Sequence, residues 1–534
     1  KSSNIRGLLN YQANNAQAES YTDKQVKKYI RKKPAALQKW TQKHSSDESG
    51  YESALERQAR YLMAKQAKKK TRVNSIEGIK RLNDYELRIY TTGYDSRFEE
   101  KLQIPICPLH YYGDTTKYSY NANKFGFKRG DLSAIRANKS SPVGAGAYRF
   151  VKYDSGIAYF MANELYYQGC PKITYVQLKD LTKLFKDEDL TGAKLAEEMK
   201  GQTVDVASLA LTQSDLEAIG EINGNGKMSG NEINTCQSAN ASYAYWGLNP
   251  YRVCINNEPF SEQSAALRHA IAMVVSACRG VQMETEGAKL TSVNAQAAKD
   301  SWLSPEQPNE DKLCYAETPD GKEQIYKTDD AVDQKREEAQ QTALKWLEKA
   351  GYTVEDGKVT AAPAGAKTLF SMELAGGTDT VGYQLATAVA SDLQGIGITI
   401  QIHTTTVDKL NKKVANLRRG NVFAKKSSIA LWYAEEEMSS NPDLAERFAF
   451  LENAELMKAI NKSDQTINKE KQKKWTQKAF DEIYAMIVEV PVHQKSTTML
   501  YSSSRIRSKS MTKNTTMFYS WMREIQNIDM KAEN

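Results

Sequence analysis

Between residues 367 and 435 the apolar period of the sequence switches repeatedly between 2 and 3.6, and this constrains the fold more than any other feature. KTLFSMELAGG (367–377) alternates as a strand, and TVGYQLATAVASDLQGIG (380–397) carries apolar residues at helical spacing. ITIQIHTTT (398–406) alternates again, and after a further helical stretch SSIALWYAE (427–435) reads as a third strand. Strands that alternate with helices build an α/β lobe, since each element has one apolar face to cover.

One such lobe does not account for 534 residues, a length that suggests about two to four domains. Residues 1–84 are rich in Lys, Gln, Ala and Ser, with short amphipathic helices interrupted at Pro34. Near residue 85 the texture changes: YELRIYTTGY alternates like a strand, and VGAGAYRFVKYDSGIAYFMAN (143–163) reads as a turn followed by a β-hairpin. KITYVQLKD (172–180) is a further strand, helical segments run to about 220, and ASYAYWGLNP (241–250) is an alternating aromatic strand. PFSEQSAALRHAIAMVVSACRG (259–280) is a helix with Ser261 as its N-cap, and DAVDQKREEAQQTALKWLEKAGY (330–352) is a long amphipathic helix closed by Gly351. No repeat of 20 to 50 residues is present.

Several functions are excluded or left without support. The net charge of +8 arises from 73 basic and 65 acidic residues interspersed, a mixed solvated surface rather than a nucleic-acid groove. The basic runs KKYIRKK (27–33) and AKQAKKKTR (64–72) read as solvated helix faces. The six cysteines form no C-x-x-C pair, the five histidines are isolated, and no nucleophile elbow, zinc-protease motif or phosphate loop occurs. VGAGAY has two glycines where a dinucleotide fingerprint needs three. No base, nucleophile and orienting group can be named, so no catalytic residues, metal ligands or cofactors are expected, and an unrecognised enzyme is the last of the alternatives. The sequence holds no apolar run long enough to span a bilayer, and its first residues lack a secretory signal.

EINGNGKMSGNE (221–232) fills most constrained positions of a calcium loop with Asn223, Asn225, Gly226 and Glu232, but Glu221 stands where aspartate belongs. The following segment reads as extended, where a calcium hand needs a second helix, so the fragment is taken as a surface turn. A calcium-responsive interaction protein stays a distant alternative.

Two strand ends concentrate aromatic and acidic residues: Tyr243, Tyr245 and Trp246 in SYAYWGLN, and Trp432, Tyr433 and Glu435 in ALWYAEEEMSSNPD. Aromatic walls with a few placed charges hold small polar ligands, although sheet packing explains the same rings equally well. A desolvated carboxylate facing a ligand ammonium gives about 1.5–3 kcal/mol, enough to orient a peptide amino terminus.

Taken together, five segments resemble, in order, the large oligopeptide-, dipeptide- and nickel-binding family of extracytoplasmic solute-binding proteins of ABC importers. They are GAGAYRFVKYDSGIAYFMANELYYQGCPKITYVQLK, SYAYWGLN, PFSEQSAALRHAIA, ALKWLEKAGYTVEDGKVT and LQGIGITIQIHTTTVDKL. The resemblance implies an α/β, two-lobe periplasmic-binding-protein-like fold with an extra subdomain, its lobes joined by crossover strands and closing on ligand without catalysis. On this basis residues 1–84 form a helical, variable subdomain of lobe one, 85–240 lobe one, 241–490 lobe two, and 491–534 a return to lobe one. The implied ligand is an oligopeptide held in the interlobe cleft and delivered to the permease subunits. The alternative is a nickel chelate, a sugar or a cofactor in the same fold.

In peptide-binding relatives a W-x-A-D strand supplies the acid that pairs with the peptide amino group. Trp432, Ala434 and Glu435 match it here with a side chain one methylene longer, followed by a loosely matching turn at Asn441 and Pro442. The resemblance also implies earlier strands of lobe one that are not found in this sequence. The chain is therefore expected to lack its true N-terminus, with any signal and lipid anchor, and to act at the bacterial cell surface or in the periplasm.

Overall fold

The computed structural model describes residues 4–44, 51–94, 98, 102, 104–122, 124–128, 131–138, 140–184, 190–240, 242–286, 290–298, 301–304, 314–325, 330–378, 380–437, 443–513, 515–516 and 519–532. By contacts the chain divides into two units: Lys1–Ile104, Ala244–Val281 and Val293–Val492 form one, and Pro105–Tyr243, Gln282–Ser292 and His493–Asn534 form the other.

The first unit opens with α1 (Leu8–Ala13), α2 (Asp23–Arg31), α3 (Ala35–His44) and α4 (Tyr51–Gln66). Thr22 starts α2 with a capping box, its side chain accepting from the Gln25 backbone while Gln25 reaches back to the Thr22 N–H. Pro34 stands between α2 and α3, where a residue without an N–H ends one helix and admits the next. Val26, Leu37 and Ala59 form a small core between these helices. A hairpin of β1 (Ile79–Arg81) and β2 (Leu87–Ile89) follows.

In the second unit the Gly-punctuated stretch folds as expected. β3 (Tyr148–Asp154) and β4 (Ile157–Ala162) pair antiparallel, and β5 (Tyr175–Lys179) pairs with β4. The turn places Ser155 and Gly156 at φ +50° and +87°, the left-handed region that Gly occupies without strain. Next come α5 (Gly192–Lys200), β6 (Val206–Leu209), α6 (Gln213–Ile222) and β7 (Ile233–Ala239). Ala196, Met199, Leu211, Ile219 and Ile233 form the core beneath them.

β8 (Ser242–Leu248) carries the chain into the first unit, where α7 (Glu262–Glu286) becomes the central helix. Ser261 caps it by accepting the Ser264 N–H at 3.2 Å, and Ala270 to Val275 are fully buried. Arg268 is buried in this helix, and it donates to the carbonyls of Met486, Val253 and Pro259 at 3.1, 3.2 and 2.7 Å. Burial lowers its pKa to about 10, leaving the guanidinium charged, and its three bonds clamp three chain segments together. After β9 (Leu290–Ser292) comes α8 (Val332–Lys349), which ends in a Schellman motif: Tyr352 N–H bonds Leu347 O and Gly351 N–H, at φ +94°, bonds Glu348 O.

The alternating region then folds as β10 (Leu369–Ala375), α9 (Val381–Gly395), β11 (Thr399–Thr405), α10 (Val407–Arg418) and β12 (Leu431–Glu437). β10 is parallel to both β11 and β12, as helical crossovers require. α11 (Leu444–Phe448) and α12 (Lys469–Met486) lead to β13 (Glu489–Ser502), in which the chain passes back to the second unit. The strand order in the first unit is β13–β8–β12–β10–β11. In the second unit β13 pairs antiparallel with β6, β7 and β9.

Candidate functional site

β8 and β12 are neighbours in the sheet of the first unit, and Tyr243 to Leu248 of β8 and Leu431 to Ala434 of β12 are buried. Side chains alternate between the faces of a strand, so the aromatic residues singled out in the sequence divide into two sets. Trp246 and Tyr433 join the large core with Ala244, Leu248 and Leu431. Tyr245, Gly247 and Trp432 take the opposite face.

On that second face the indole of Trp432 rests against Gly247. A Cβ there would stand 2.1 to 2.6 Å from three indole atoms. Trp432 Nε1 donates to Tyr245 Oη at 3.1 Å, with the rings edge to face at 6.3 Å. Arg418, at the end of α10, donates to the same hydroxyl at 2.9 Å. Arg447 of α11 lies 5.3 Å from the centre of the Tyr245 ring and pairs with Glu489 at 2.5 Å. Both members of that ion pair are 4% exposed or less. Buried Tyr245, Trp432, Arg447 and Glu489, with half-buried Arg418, thus form one aromatic and ionic cluster. The arginines and Glu489 lie in unremarkable segments and carry no motif, so only the aromatic half could be read from the sequence.

The other face presents a different surface. The Tyr433 ring lies against Gly382 of α9, where a Cβ would stand 2.6 Å from it. Burial first, and then the charge of Glu435, push its hydroxyl well above the ordinary tyrosine pKa. Glu435 follows on the same face as Tyr433 and is exposed, whereas Trp432, Tyr433 and Ala434 are 3%, 7% and 9% exposed. Tyr243, at the second-unit end of β8, is buried. The structure therefore brings Tyr245 and Trp432 together, turns Trp246 and Tyr433 away from them, and leaves Glu435 as the residue of the six with open access to solvent. Asn441 and Pro442 lie outside the described residues.

Two cavities add residues that the sequence did not flag. In the second unit, Tyr148, Phe160, Tyr166, Tyr167, Trp521 and Met522 line a space of about 680 Å³. In the first unit, His269, Tyr315, Glu317, Trp346 and Tyr484 line one of about 480 Å³. Both volumes lie in the range of about 300–1,000 Å³ usual for small-molecule sites. In the smaller cavity His269 stacks on Trp346 at 3.9 Å, Tyr315 stacks on Tyr484 at 4.3 Å, and Tyr484 donates to the Glu317 carboxylate. The signal for both is the tyrosine excess, 29 against 13 phenylalanines, which does not say where the rings converge.

Among the described residues no cluster of three or more His, Cys, Asp or Glu side chains is placed to hold a metal. In the 221–232 fragment Asn223 Oδ1 accepts the Ile233 N–H at 2.9 Å and Asn225 Oδ1 accepts the Lys227 N–H at 2.9 Å, so both amides serve the turn. β7 follows directly. No described helix is long and apolar enough to cross a membrane.

Residues 35–442 match the model of the middle region of the bacterial extracellular solute-binding proteins, family 5. Solved structures share the fold at low identity. The oligopeptide-binding protein AppA of Bacillus subtilis, in complex with a nonapeptide, is 14% identical over 85% of this chain and 78% of its own, with a TM-score of 0.51. The ABC transporter substrate-binding protein CtaP of Listeria monocytogenes is 13% identical over 85% and 77%, with a TM-score of 0.55. NikA of Brucella suis, in complex with Fe(III)-EDTA, is 14% identical over 85% and 78%, also with a TM-score of 0.55. No curated protein matches the sequence.

Proposed function

The chain belongs to the bacterial extracellular solute-binding proteins of family 5, which are binding proteins rather than enzymes, and we propose that its solute is an oligopeptide delivered to the permease subunits of an ABC importer. The observation that carries this reading is the exposed carboxylate of Glu435. It emerges from β12 directly after three buried residues, so its backbone is held by a central strand while its side chain reaches solvent. Where a bound peptide shields that carboxylate from solvent, its contact with the peptide ammonium contributes about 1.5–3 kcal/mol. The nonapeptide held by the Bacillus subtilis protein of the same fold supports the choice of ligand class. The buried Tyr245–Trp432 cluster then serves to hold β8 and β12 in register beneath that carboxylate.

Thermal unfolding in the presence of di- to penta-peptide pools tests the proposal. Binding raises the midpoint as the logarithm of free ligand over Kd, so a pool containing a ligand produces a concentration-dependent rise. A midpoint unmoved by every peptide pool, but raised by a nickel–histidine complex, assigns the chain to the chelate-binding side of its family.

A further inference from the structure

The two basic runs of the N-terminal helices are separate in the sequence but meet in the fold. Tyr29, near the end of α2, donates its hydroxyl to Gln66 at the end of α4 at 3.0 Å. At the start of α2, Asp23 pairs with Arg60 at 2.6 Å, so the helices run side by side with their C-terminal ends together. The chain beyond α4 is tied down as well. Buried Asn15 donates to Ala64 O at 2.9 Å, and Ala16 N–H bonds Thr71 O at 3.0 Å. Lys68, Lys69 and Lys70 thus form a short loop anchored at both ends.

Residues 27–33 and 65–72 together carry ten lysines and arginines and no acidic residue. All ten are exposed, and none belongs to an ion pair among the described residues. Lys28, Arg31 and Lys65 complement the helix C-termini, a structural role that accounts for three. Lys32, Lys33, Lys68, Lys69, Lys70 and Arg72 lie beyond the last turns, where that role does not extend.

We propose that this face docks electrostatically on a bilayer surface bearing anionic headgroups. The family acts outside the bacterial cytoplasm, where a membrane is the extended anionic surface at hand. Each lysine or arginine held near such a surface strengthens binding roughly fivefold, within a Debye length of about 10 Å. Nucleic acid fits the patch less well. Single strands are gripped by exposed rings, and the one aromatic residue in these runs, Tyr29, is half-buried with its hydroxyl engaged.

The test uses the full chain and sedimentation with vesicles of phosphatidylcholine alone or mixed with phosphatidylglycerol, and is independent of peptide capture. Expected is binding to the mixed vesicles only, falling as salt is raised. The triple variants Lys68→Glu/Lys69→Glu/Lys70→Glu and Lys28→Glu/Lys32→Glu/Lys33→Glu should each weaken it by about a hundredfold or more. Lys68→Arg/Lys69→Arg/Lys70→Arg should keep it, and Lys68→Gln/Lys69→Gln/Lys70→Gln, which adds no negative charge, should lose most of it. Circular dichroism of each variant confirms folding. Equal binding to both vesicles, wild-type affinity in a folded charge-reversed triple, or tighter binding to duplex DNA than to the mixed vesicles overturns the proposal.

Discussion

Trp432 donates its indole N–H to the hydroxyl of Tyr245, 187 residues earlier in the chain, and the indole fits there because residue 247 has no side chain. Gly247→Ala places a methyl within 2.6 Å of three indole atoms in a fully packed layer. The ring has to move, and overpacking of this kind costs about 1–3 kcal/mol. Urea unfolding followed by tryptophan fluorescence should show that loss. An unchanged midpoint would mean that Trp432 yields easily and that the two strands are not keyed to each other here.

Arg447 and Glu489 form an ion pair with almost no solvent contact. Arg447→Ala strands a buried carboxylate and is expected to destabilise the first unit by about 3–5 kcal/mol. The double replacement Arg447→Met/Glu489→Leu removes both charges and should recover most of that loss. A double variant as unstable as the single would show that the guanidinium acts through its contact with the Tyr245 ring and not through the carboxylate.

Local devices were legible in the sequence because they depend on neighbours a few residues away. Examples are the Ser261 cap, the Gly351 helix end, the 148–162 hairpin and the strand–helix alternation after residue 367. Pairings across 42 residues, such as Arg447 with Glu489, leave no local trace. The aromatic strand shows a different limit. Alternation reveals which residues share a face, but a central strand is covered on both sides, so SYAYWGLN could not say which rings face the main core. Trp246 does, and Tyr245 does not. Glu435 and Trp432, three positions apart in the motif, therefore end on opposite faces of β12.

His269 supplies a pH signature. Burial holds it at about 3, against an ordinary value of 6.5, so the folded chain keeps it neutral where the unfolded chain protonates it. Its contribution to stability is fully present above pH 6.5 and is lost as the pH falls towards 3, at up to about 1.4 kcal/mol per pH unit. His269→Phe keeps a ring against Trp346 and removes the proton. Unfolding midpoints measured from pH 7 to pH 4 should fall less steeply in the variant, and parallel curves would place the acid sensitivity elsewhere.

Glu435 joins the structure to the proposed function. Its side chain is exposed, so Glu435→Ala should change stability by no more than about 0.5 kcal/mol, a shift that leaves the fold intact for a binding measurement. If its carboxylate receives the peptide ammonium, the variant should bind free peptides about tenfold or more weakly, consistent with losing about 1.5–3 kcal/mol. Acetylated peptides lack the ammonium, so wild type should bind them as weakly as the variant binds free ones, and the variant should no longer distinguish the two. Glu435→Asp restores the shorter acid of the peptide-binding motif. A return of the preference for free amino termini would identify the carboxylate, and not the aliphatic stem, as the group that acts. Equal affinity of wild type for free and acetylated peptides would remove Glu435 from the binding site and shift the search to the aromatic cavities.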